Sequence, residues 1–262
     1  MTTSFKNRWN EIVKTRGNLF IGADPDLDIP DLPVWIIEYL KEVGGFAGGI
    51  KPNPGFYQRR GGMEALELIP EYCSENELLS IVDAKVSDTL KTNIGWMENY
   101  KRMGYDAVTI APYAGNIRET ILAAKKIGIV PIMMGLMSNP EFIREAFAKL
   151  DGEDLWRYRI REAIEAGVEC LVLGGTYKKE DMILGEFADV VRDQELTFLM
   201  PGFGGTQGGD LDAFAQAMQE HGLNWEDGMP NVGTGIMYPK SGTRADEAQR
   251  VQEICERNLR EV

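Results

Sequence analysis

The sequence predicts an α/β fold, specifically a (β/α)8 TIM barrel with an extra N-terminal helix. Three observations carry that expectation. Short apolar runs alternate with helical periodicity eight times, the pattern of a parallel sheet with both faces covered. The chain is 262 residues long, close to the ~250 residues typical of such barrels. No composition break or linker divides it, so residues 1–262 read as a single barrel domain. An open doubly wound sheet also alternates, but eight units in this length favour closure.

Helical spacing of Phe5, Trp9, Ile12 and Val13 marks the extra helix over residues 5–16, and Gly17 stops it. The first strand lies in Leu19 to Asp26, followed by a helix from about Val34 to Val43; the second is Gly48 to Asn53, with a helix from Met63 to Glu75. Leu78 to Val82 opens the third strand, which runs into Asp83 and Lys85 before a helix from Leu90 to Met103. Asp106 to Tyr113 is the fourth, paired with a helix from Asn116 to Ile127. The fifth, Ile129 to Leu136, leads through Ser138-Asn139-Pro140 into a long helical region ending at Gly167. Cys170 to Gly175 and a helix from Lys179 to Asp193 form the sixth unit. Leu196 to Gly202, the glycine-rich loop Phe203 to Asp210 and a helix to Glu220 form the seventh. The eighth strand is Asn231 to Ile236, and Thr243 to Leu259 is the last helix.

With 41 acidic against 28 basic residues the net charge is −13, which argues against a general nucleic-acid or anionic-membrane surface. Any anionic ligand must be held by local cations. Cys73, Cys170 and Cys255 lack the spacing of a zinc site or disulfide framework. Residues 1–8 contain no apolar signal core, and no run approaches the ~20 apolar residues of a membrane span, so a cytoplasmic location is expected.

The chemistry collects at strand ends. Alternation puts Ile81, Asp83 and Lys85 on one face of the third strand, with Asp88 in the loop beyond. Opposite charges at the end of a buried strand need each other, and such pairs are candidates for acid, base and electrostatic roles. Asp24, Lys51, Ser138, Gln207 and Thr234 also fall at C-terminal strand ends, where barrels place their active sites.

These residues resemble the orotidine 5'-monophosphate decarboxylase family. Asp83, Lys85, Asp88 and Thr92 match its Asp-x-Lys-x-x-Asp signature followed by Thr. Gly22-Ala-Asp24-Pro, Ile50-Lys51-Pro52, Asp106 to Tyr113, Ser138-Asn-Pro140, Pro201-Gly202 and Gln207-Gly-Gly-Asp210 follow in order. The resemblance spans residues 19–236. It implies conversion of orotidine 5'-monophosphate (OMP) to UMP and CO2 without a metal or organic cofactor, in a homodimer with shared active sites. Lys51, Asp83, Lys85 and the partner subunit's Asp88 would form a charged tetrad, with Lys85 protonating the C6 carbanion. Asp24 and Lys51 would contact the ribose, Asp88 and Thr92 would do so across the dimer, and Ser138 would read the pyrimidine. Pro201, Gln207, Gly233 and Thr234 would line the base and phosphate end.

The resemblance departs at the eighth strand, where the family's Gly-Arg, whose arginine holds phosphate, is replaced by Gly233-Thr234. Lys240 and Arg244 are the nearest cations, and one of them is expected to substitute. Three other readings stay open. Metal-dependent relatives of the barrel, such as keto-gulonate phosphate decarboxylases and hexulose phosphate synthases, carry an acid where this chain has Lys51. A paralogue with the same charged site would act on a different, less phosphorylated substrate. A non-catalytic barrel would serve as a binding module. His221, at a helix end, reads as a cap or surface residue.

Overall fold

The computed structural model describes residues 4–204 and 208–260. In chain order the elements are α1 (Phe5–Arg16), β1 (Phe20–Gly22), α2 (Leu32–Val43), β2 (Gly49–Lys51), α3 (Gly62–Glu75), β3 (Leu79–Val86), α4 (Leu90–Met103), β4 (Ala107–Ile110), α5 (Ile117–Ile127) and β5 (Val130–Leu136). Then come α6 (Phe142–Ala146), β6 (Lys149–Leu150), β7 (Glu153–Asp154), α7 (Leu155–Glu165), β8 (Cys170–Leu173), α8 (Met182–Val191), β9 (Thr197–Pro201), α9 (Leu211–Glu220), β10 (Gly228–Val232), α10 (Thr234–Met237) and α11 (Arg244–Arg260).

Among the described residues, eight parallel strands close into a barrel in the order β1-β10-β9-β8-β5-β4-β3-β2. The (β/α)8 expectation therefore holds, extra N-terminal helix included. Two apolar layers result from strand alternation. Phe20, Leu79, Ile81, Ile132, Val172, Leu199 and Met229 fill the barrel. Ile21, Ile50, Val82, Val108, Met133 and Leu171 face outward into the packing between strands and helices. Close packing inside dictates Gly49, because a Cβ there would lie 2.2 Å from the Phe20 ring.

Helix α1 closes the N-terminal end of the barrel. Ser4 caps it by accepting from the Asn7 N–H, and Trp9, fully buried, packs on Phe20 with ring centroids 5.7 Å apart. Its polar groups reach residues just ahead of three strands. Arg8 pairs with Asp106, the Phe5 N–H donates to Glu169 at 2.9 Å, and Lys6 lies 3.1 Å from Asp227. The helix thus seals the end opposite the strand C-termini.

Two expectations are corrected. The region from Ser138 to Gly167 is not one long helix, because Asp151 and Gly152 adopt φ of 52° and 88° and turn the chain into the β6–β7 hairpin between α6 and α7. The eighth strand begins and ends earlier than expected, at Gly228–Val232, and Thr234–Met237 forms one helical turn.

Trp9→Ala is expected to cost roughly 3–5 kcal/mol of stability, read from the urea midpoint, while leaving the residues at the opposite end in place. A midpoint shift no larger than that of a surface substitution would mean the plug contributes little.

Candidate active site

A cavity of about 380 Å³ opens at the C-terminal ends of the strands and is lined by residues from β1, β2, β3, β5, β8, β9 and β10 and the segments just beyond them. At its base three charged side chains from two adjacent strands form one array. Lys51 Nζ is 2.8 Å from Asp83 Oδ2, and Lys85 Nζ is 2.7 Å from Asp83 Oδ1. The Lys51 side chain is 5% exposed and that of Lys85 38%, so Lys51 is the buried counter-charge and Lys85 the ammonium presented to the cavity.

Burial alone would push the Asp83 carboxyl up, but the Lys51 and Lys85 ammoniums outweigh it and hold the carboxyl well below the usual range. Burial would likewise lower Lys51, yet Asp83 and Asp24 raise it, so it stays charged. Asp24, from the end of β1, is raised by burial, which Lys51 and the Asn53 N–H offset only in part. Its Oδ1 accepts from Asn53 at 2.7 Å, and its own N–H points to Met237 Sδ at 3.3 Å. One turn of α10 therefore holds the first acidic residue of the site.

Strand β3 does not run regularly to its end. Its pairing with β4 shifts between Val82 and Val86, and Lys85 adopts a φ of 46°. The bulge keeps Asp83 and Lys85 facing the same cavity, although Lys85 has left the extended conformation from which alternation argues.

Of the other expected residues, Ser138, Pro201, Gly233 and Thr234 line the cavity. Ser138 is seated by its carbonyl, which accepts from Thr176 Oγ1 at 2.8 Å, and by Gly174, where a Cβ would come within 2.7 Å of the Ser138 backbone. Asp88 and Thr92 are exposed at the start of α4 and are not part of the lining. Gln207 lies outside the described residues.

Arg244 is not brought to the cavity. Its Nε donates to the Met237 carbonyl at 3.1 Å, its guanidinium lies 3.3 Å from Glu42, and it stacks 5.2 Å from Trp35 and 5.6 Å from Tyr39. Lys240 lines a second cavity of about 630 Å³, which shares Phe203, Gly204 and Thr234 with the first.

The lining also includes Asn139, Asn231, Met134, Met137, Val172, Leu199 and Phe203, none of which sequence reasoning had assigned to the site. Asn231 had a signal, an amide interrupting the apolar run Met229 to Val232. The two methionines had none, because they read equally well as core.

No family model matches the chain. It is 31% identical to the orotidine 5'-phosphate decarboxylase of Haloarcula marismortui, over 87% of this chain and 85% of that one. A putative orotidine-monophosphate decarboxylase from Toxoplasma gondii has the same fold, with a TM-score of 0.83 and 21% identity over 97% of this chain and 96% of that one. The Leishmania donovani UMP synthase superposes with a TM-score of 0.81 and 21% identity; the match covers 98% of this chain and 57% of the synthase.

A carboxyl held low stabilises the fold fully above its unfolded pKa of about 4, and that contribution is lost as pH falls toward the lower folded value. Asp24, held high, works in the opposite sense. The gap in urea midpoint between wild type and Asp83→Asn is therefore expected to narrow between about pH 6 and about pH 2. A gap that stays constant would mean the two ammoniums do not hold Asp83 ionised.

Proposed function

The chain belongs to the orotidine 5'-phosphate decarboxylase family, and from that premise we propose that it converts OMP to UMP and CO2 without a cofactor. The observation that carries the reading is the Lys51–Asp83–Lys85 array at the base of the cavity. When the bond from C6 to the carboxylate breaks, CO2 departs and the electron pair stays in an sp2 orbital with no adjacent sink. A fixed ammonium answers that need. At about 4 Å and an effective dielectric near 20, opposite unit charges gain roughly 4 kcal/mol, about a thousandfold in rate where the gain is made mainly in the transition state. Lys85 then donates a proton from Nζ to C6, and the neutral amine regains one from solvent.

Asp83, kept ionised by its two lysines, faces the substrate carboxylate, while Asp24 and Lys51 hold the ribose. Ser138 and Asn139 take the pyrimidine. Asn139 Oδ1 is a buried acceptor without a partner among the described residues, suited to the ring imide N–H. Pro201, Gly233 and Thr234 line the base and phosphate end, and Gln207, outside the described residues, is assigned there by the resemblance alone. With Arg244 engaged against α2, Lys240 is the better placed cation for the phosphate, and it makes no ion pair with a described residue. Asp88 and Thr92, exposed outside the cavity, are available to the site of a partner subunit, so the working unit is a homodimer.

The absence of arginine after β10 favours a second reading, a lyase of the same barrel family acting on a less phosphorylated acid. One assay separates them. With chelator present, wild-type protein is expected to consume OMP, followed by loss of absorbance, faster than orotidine, and Lys85→Ala is expected to abolish turnover. A folded protein that leaves OMP untouched would overturn the first reading. For the shared site, mixing inactive Asp88→Ala with inactive Lys85→Ala chains is expected to restore part of the activity; no recovery in verified mixed dimers would remove the partner's Asp88 from the reaction.

A further inference from the structure

One buried hydroxyl touches both halves of the charged array. Thr109, on β4, is fully buried, and its neighbours Val108 and Ile110 pack outward while Ala107 packs inside the barrel, so Thr109 faces inward with Ala107. Its Oγ1 is 2.9 Å from the Lys85 backbone nitrogen and 2.9 Å from Asp83 Oδ1. The direction of both bonds is fixed by chemistry. A backbone N–H can only donate and an ionised carboxylate can only accept, so the single hydroxyl proton must point at Asp83.

The first of these bonds repairs the bulge. Between Val82 and Val86 the ladder to β4 is interrupted, and the Lys85 N–H, with φ at 46°, takes the Thr109 side chain as its acceptor. A lysine held in the left-handed region needs surroundings that over-determine it. Thr109 supplies one such restraint on the backbone, while its second bond fixes the carboxylate that holds Lys85 Nζ.

We propose that Thr109 is a positioning residue, whose hydroxyl sets the Lys85 ammonium and the Asp83 carboxylate in one geometry by bonding the backbone of the first and the side chain of the second. This rests on the decarboxylase reading for its consequence in turnover, but not for the contact itself. Thr109→Val removes the hydroxyl at nearly constant volume, Thr109→Ala does so with less crowding, and Thr109→Ser keeps it.

Loss of the hydroxyl is expected to lower kcat for OMP about a hundredfold, the scale of a misplacement near 1 Å, with KM within about twofold, and Thr109→Ser is expected to recover most of the rate. Alongside it, a double-mutant cycle in urea midpoint between Thr109→Val, or Thr109→Ala where the valine variant does not fold, and Asp83→Asn reads the coupling without reference to any substrate. Additive effects in the cycle would overturn the proposal, as would an unchanged kcat, a KM that rises in step with the fall in kcat, or a serine variant no better than alanine. If wild-type protein leaves OMP untouched while the cycle shows coupling, the decarboxylase reading falls and the positioning contact stands.

Discussion

The structure depends on an ionised carboxylate being held in a mostly buried position. Asp83 is tolerable there because Lys51 and Lys85 each place an ammonium within 2.8 Å of one of its oxygens, and because Thr109 donates to the same carboxylate. Removing one partner of such a set leaves an uncompensated charge, which costs more than the intact set contributes. The three charged groups therefore have to be delivered together. Parallel pairing of β2 with the first residues of β3 does this, since it carries Asp83 past the end of β2, where its N–H donates to the Pro52 carbonyl at 2.9 Å beside Lys51.

Delivering them requires a local departure from regular sheet. A β3 that kept its extended conformation to the end would present Lys85 as one more pleated residue. The bulge and the left-handed φ of Lys85 bend the strand into the cavity, and β4 accommodates this through a side chain where a backbone acceptor would otherwise serve. Strain at this position is stabilised by the barrel around it. At the other end α1 buries Trp9 against Phe20 and ties itself to residues preceding β4, β8 and β10. The chain thus separates the closed, apolar end that supports the barrel from the open end that holds the cavity and its charged array.

The β10 end of the cavity follows a different logic. Thr234 begins a single helical turn whose last residue, Met237, reaches back to the Asp24 N–H and offers its carbonyl to Arg244. Arg244 is satisfied by stacking on Trp35 and Tyr39 and by Glu42, all on α2. It locks the rim and so steadies Asp24 from outside the cavity.

The barrel and the charged array were legible in the sequence because both are written in local patterns: apolar runs eight times repeated, and acids and lysines at the runs' ends. The turn at Asp151-Gly152 also had a local mark, but helical propensity on both sides masked it. What only the tertiary structure decided depends on residues distant in sequence. Thr109 meets Asp83 across 26 positions, and Arg244 meets Glu42 across 202. Nothing in Ala107-Val-Thr-Ile110 distinguishes a threonine that packs from one that holds a charged pair, and nothing near Arg244 tells whether its charge turns inward or toward α2. Periodicity is a property of neighbours along the chain, and so the sequence alone determined which residues stand at the strand ends. The partner a polar side chain finds is set by the closure of the barrel, and so the structure decided which of those residues touch.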